Sequence, residues 1–186
     1  MKRFSDMSIG SRLAVGFGLL VALLVVLAVV GYSRMAVIEG QVEKLANVNL
    51  VKTALMGQVR DEIQDIALAT RNVAMTDDAA ANREDAARAA ADFTSLAANL
   101  AKLEPMLATE AGKAAMAVLK TQSAVLKASA DKSIALGLQN KAEQAIKVIL
   151  EEVRPPQRLM LAEMGKLLEI QKKLNADDDA AATAAF

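Results

Sequence analysis

The sequence contains no histidine, no cysteine and no tryptophan, and its few aromatics make up 3% of the residues. Without histidine, histidine-dependent triads and histidine-ligated zinc or iron sites are excluded within these residues. The absence of cysteine suits an oxidising compartment without defining one. So few aromatics leave no base-stacking platform for nucleic acid. Excess charge of either sign is missing too: 22 basic and 22 acidic residues cancel, which removes the electrostatic case for nucleic acid or for a polybasic membrane surface. Glycines are scattered, with no phosphate-cradling loop. Asp77-Asp78 lack the further ligand spacing that calcium requires and read as a helix start. No catalytic group, metal or cofactor is expected.

What is present begins with an uncharged run of 21 residues, Leu13 to Ser33, between Arg12 and Arg34. As a helix it is roughly 31 Å long, the thickness of a bilayer's hydrocarbon core. A cleaved signal peptide has a shorter apolar core and a small-x-small cleavage site, which Gly31-Tyr32-Ser33-Arg34-Met35 does not offer. A buried core helix seldom stays wholly apolar over such a length. The run is therefore read as an uncleaved membrane anchor. Lys2, Arg3 and Arg12 precede it, whereas Arg34 alone follows closely. This bias places residues 1–12 in the cytoplasm, 13–33 in the membrane and 34–186 outside it. Ala14, Gly18 and Ala22 form a small-xxx-small stripe suited to packing of two membrane helices, although small residues are also simply common there.

Beyond the anchor the periodicity is helical throughout, and no alternating strand segment competes with it. One heptad series runs Val42, Asn49, Met56, Ile63, Thr70, and its companion runs Leu45, Lys52, Val59, Ile66, Val73. Asn49 and Lys52 interrupt that seam. A polar residue there can fix register in a coiled coil, but access of water near the membrane explains the pair more simply. A second stripe, Ala86, Ala89, Phe93, Leu96, Leu100, Leu103 and Leu107, is wholly apolar. Pro105 ends it, and Thr109 can cap the next helix. The third stripe carries Met116, Leu119, Leu126, Ala130 and Ile134 and stops near Gly137. Asn140 can cap a fourth, with Ile146, Ile149, Val153, Pro156, Met160, Leu167, Ile170 and Leu174 on one face. Because that stripe keeps its phase across Pro155 and Pro156, the prolines are expected to kink a helix rather than open a loop, either as a hinge or as a tolerated bend.

The expected fold is all-α: an N-terminal transmembrane helix continuing into an antiparallel up-down four-helix bundle, with helices over about 34–75, 78–104, 108–137 and 140–186. The two ascending and two descending lengths nearly cancel, so the chain's end returns to the height at which it left the bilayer. That geometry suits continuation into a second span beyond residue 186. The alternative is a small complete protein with a frayed acidic and alanine-rich tail.

FSDMSIGSRLAVGFGLL (4–20), DIALATRNVAMTDD (65–78) and RPPQRLMLAEMGKLLEIQKKL (154–174) resemble the front end of bacterial methyl-accepting chemotaxis receptors with a four-helix-bundle sensor. The resemblance spans nearly the whole chain. It implies an inner-membrane homodimer with a periplasmic sensor, bound by a small molecule or a ligand-loaded binding protein. It also implies a cytoplasmic part, beyond these residues, that acts on a histidine kinase and its adaptor. In that family first-helix arginines at the membrane-distal end contact ligand carboxylates. Arg71, with Asn72 beside it, sits at that height here, and Arg60 lies 11 residues earlier near the same face. A guanidinium fork suits a carboxylate. No dense arginine cluster accompanies them, and for Arg71 alone a solvated or helix-end charge is the simpler account. Two other readings remain: the sensor of a membrane kinase or cyclase, and a membrane-tethered helical adaptor.

Overall fold

The computed structural model describes residues 9–43 and 49–184, which divide into two compact units, residues 1–45 and 46–186. Among the described residues every regular element is helical and no strand occurs.

The first unit is one helix, α1 (Ile9–Glu43). Within it Leu13–Met35 is apolar enough to cross a membrane, with a mean hydropathy of 3.1, and none of its hydrophobic window is buried by the chain. Leucines and valines surround the axis, so this stretch has no polar face. Ser33, the hydroxyl near its end, donates from Oγ to the carbonyl of Val30 at 2.9 Å and so satisfies itself within the helix.

The second unit is a bundle. Helix α2 (Leu50–Met75) packs on α3 (Ala79–Leu103), and both meet α4 (Glu110–Gly137). The fourth rod is composite: α5 (Ala142–Val148), a π-helical turn (Ile149–Val153) and α6 (Arg154–Ala184). It lies against α4 and α2. The expected rod over 34–75 falls across the end of α1 and all of α2; residues 44–48 lie outside the described residues, as do the side chains of Val42 and Leu45.

The apolar stripes meet in one core. Val59, Ile63 and Ile66 of α2, Leu96 and Leu103 of α3, Leu119 and Leu126 of α4, and Met160 and Met164 of α6 are all fully buried. At about 25 cal/mol per Å² of apolar surface removed from water, residues of this size dominate the bundle's stability. The ends of the rods are set by local chemistry. Asp78 Oδ1 accepts from the backbone N–H of Ala80 and Ala81 at 2.8 and 3.2 Å, capping α3. Thr109 Oγ1 accepts from Gly112 N–H at 3.0 Å and caps α4. Both satisfy amides that have no partner inside their helix.

Three expectations are corrected. Asn140 does not cap the fourth rod; Lys141 stands at that position without a side-chain cap. Asn140 instead adopts φ 57, the left-handed geometry that asparagine tolerates, and its N–H donates to Gly137 O at 2.9 Å to close the turn. Asn49 and Lys52 are not open to water: they are 6% and 7% exposed. Asn49 Oδ1 accepts from Gln171 Nε2 at 3.2 Å, and the same nitrogen donates to Asn175 Oδ1 at 2.6 Å, tying α2 to α6. Ile146 is 39% exposed, whereas Ala145 and Val148 are buried. The cause is the π turn, which holds one residue more than an α turn and rotates everything upstream of it.

That turn also explains how Pro155 and Pro156 are housed. The rod continues through them without a loop. Arg154 N–H reaches back to Ile149 O, a five-residue step, so the prolines fall in the first turn of α6, where a missing N–H costs least.

Candidate functional site

Arg71 lies on the exposed surface of α2, one turn before its end at Met75. Asn72 beside it is half-buried, and its carbonyl accepts the N–H of Thr76 at 3.1 Å. The turn that follows carries Asp77 and Asp78, and the Asp78 carboxylate is taken up in capping α3. Arg60 is also exposed, and lines a shallow groove of about 220 Å³ with Gln64 of α2 and Leu161, Gly165 and Leu168 of α6. A Cβ at Gly165 would meet nothing within 4 Å, so the groove is open there. Eleven residues of helix separate the two arginines by roughly 16 Å along the axis while returning them to within about 20° of one face. The structure therefore aligns Arg60 and Arg71 but does not bring them together within one chain.

Ala14, Gly18 and Ala22 lie on one side of α1, all exposed, and no side chain of the chain fills the space beside Gly18. Pro155 and Pro156 border a larger groove of about 840 Å³ between α4 and the fourth rod, walled by Val125, Ser129 and Leu159. An ion pair of Lys132 Nζ with Glu152 Oε1, at 2.5 Å, crosses its rim.

A polar layer between α2 and α3 was not anticipated. Asn99 Nδ2 donates to Glu62 Oε1 at 2.7 Å, while Glu62 Oε2 and Asp92 Oδ2 are buried without a hydrogen-bond partner. Burial raises the Glu62 carboxyl above its ordinary range, opposed by the Asn99 hydrogen bond and reinforced by nearby Asp92. Asp92 is likewise raised, by burial first and then by Asp65, against the pull of Arg88. The signal in the sequence was the recurrence of Asp85, Asp92 and Asn99 at seven-residue spacing, a polar edge beside the apolar stripe of α3. Among the described residues no group of three or more carboxylates is arranged to hold a metal ion.

Four helical rods packed around one apolar core, with Arg60 and Arg71 exposed on α2, have the architecture of a helical-bundle signalling module. Residues 6–186 match the family described as the four helix bundle sensory module for signal transduction, and the chain belongs to that family, the sensor module of methyl-accepting chemotaxis proteins. No curated protein matches the chain.

Proposed function

We propose that this chain is the sensing portion of a transmembrane chemoreceptor: α1 anchors it in the inner membrane, residues 34–186 face the periplasm, and two copies pair to receive a ligand at the bundle end bearing Arg71. The observation that carries the reading is the family match over residues 6–186 together with an apolar α1 long enough to span a bilayer. Pairing through α2 is supported by Leu50, Leu68 and Met75, which are 66%, 48% and 70% exposed and recur on one helical face. Arg71 flanks that face, so two copies would bring a pair of guanidinium groups toward each other, where an organic anion suits them. Arg60 and Asn72 complete the ligand-contacting set on this reading, and Ala14, Gly18 and Ala22 pack the paired anchors. The bound anion, or a binding protein carrying it, would favour one packing of the rods over another and pass that preference to an output beyond residue 186. The coupling equals the ligand's differential affinity for the two packings.

Protease digestion of spheroplasts tests the topology: residues 34–186 should be cleaved from outside, and their protection would overturn it. Sedimentation of the full chain in detergent micelles should show a dimer. A thermal-shift screen with dicarboxylates and amino acids should raise the melting temperature, and Arg71→Ala should abolish that rise. A monomer insensitive to every compound would favour the tethered-adaptor reading.

A further inference from the structure

The fourth rod holds two competing apolar faces. Extrapolating the buried stripe of Val153, Pro156 and Met160 back at α-helical pitch leads to Ile149 and Ile146. The π turn displaces that pattern by one residue, so Ala145 and Val148 are buried at 0% and 7% exposure while Ile146 and Leu150 stand out at 39% and 52%. Larger side chains have thus been left in water in favour of smaller ones. The opposing force is the proline pair. In a regular α turn the rings of Pro155 and Pro156 press on the carbonyls of Glu151 and Glu152, and a π turn widens that passage. The carbonyl of Glu151 has proline at both positions, 155 and 156, from which a helical donor could come.

We propose that the π turn at Ile149–Val153 is a register switch: α5 can rotate by one residue against α6, exchanging Ala145 and Val148 for Ile146 and Leu150 on the buried face. The moving part is α5, which has seven residues, because α6 is pinned by Met160, Met164 and Leu167, all fully buried. The rotation is about 100°, one residue's worth. A hydrogen bond from Ser133 Oγ to Ala145 O at 3.2 Å holds the observed register and passes to a neighbouring carbonyl in the other. Glu151, Glu152 and Pro155 wall the groove against α4, so its shape differs between the two registers, and any occupant contacts them unequally.

The natural sequence has no cysteine, so single thiols report cleanly. In the full chain in micelles, Ile146→Cys should react with a maleimide about tenfold or more faster than Ala145→Cys, reflecting the observed register. Adding Pro155→Ala with Pro156→Ala removes the ring clash and should reverse that order. A folded double variant, judged by circular dichroism, that keeps the original order overturns the switch. A second arm needs no change at the prolines. Ile146→Glu bars residue 146 from the interior, so it should slow labelling of Ala145→Cys about tenfold or more. An unchanged rate there overturns the proposal even where the proline variant fails to fold.

Discussion

Helix α3 and the fourth rod solve the same packing problem differently. Phe93, Leu96, Leu100, Leu103 and Leu107 follow a strict three-four spacing from α3 into its C-terminal turn, and all are buried. Asp78 caps the start, and the short 3-10 turn at Glu104–Met106 accommodates Pro105 at the end. Pattern, cap and breaker agree. In the fourth rod the apolar pattern is equally regular on paper, but two prolines fall inside it. The helix keeps its length, widens one turn, and changes which residues face inward. A repeat in sequence therefore specifies a face only where the backbone between its members is regular.

The sharpest way to test that contrast is truncation. Leu96→Ala, at a position with no exposure, should cost about 2–5 kcal/mol in chemical denaturation of the full chain in micelles. Ile146→Ala should change stability by no more than about 0.5 kcal/mol, although the two positions look alike in the pattern. A next smaller effect is expected at Gly137, the last residue of α4. A Cβ there would lie 2.5 Å from Val73 O, so Gly137→Ala forces two backbones apart and should cost about 1–3 kcal/mol by the same assay. Asp78→Ala should cost about 1 kcal/mol by removing the α3 cap, whereas replacement of Lys141, which caps nothing by its side chain, should be close to neutral.

The smallest effect concerns charge in the polar layer between α2 and α3. Because Glu62 and Asp92 have raised folded-state values, the native bundle takes up protons at a higher pH than the unfolded chain does. Stability from this layer is greatest on the acid side and is lost as pH rises through the folded values. Glu62→Gln keeps an oxygen for Asn99 and removes the buried charge. It should raise the melting temperature at neutral pH slightly and flatten the gain on acidification, measured by circular dichroism melts across the carboxylate range.

Much of the bundle was legible because its signals are local and redundant. Thr109 and Asp77-Asp78 mark helix starts by side-chain chemistry, and each stripe repeats often enough to survive one polar member. Thr70 illustrates this: buried in the seam, it donates from Oγ1 to Ile66 O at 2.7 Å and needs no partner from another helix. What escaped depends on partners distant in sequence. Asn49 looked exposed because its partner Gln171, 122 residues away, is invisible to a heptad count. Asn140 looked like a cap because asparagine serves both helix starts and left-handed turns, and only the backbone angle separates the two. Ile146 was misplaced because periodicity carries no mark of an inserted residue. Arg60 and Arg71 could be placed on one helix face from spacing, but the groove of α2 against α6 beside Arg60 requires Gly165, which had no signal of its own.

The near-contact of Gly137 with the carbonyl of Val73 makes one end of the α2–α4 pair a fulcrum, since the two backbones there have no slack for even a single carbon. From that fulcrum to Leu50 is about 35 Å of rigid rod. A tilt of about 5° hinged at Val73 therefore swings the Leu50 end by roughly 3 Å, so a slight rearrangement near the turn emerges magnified at the opposite extremity.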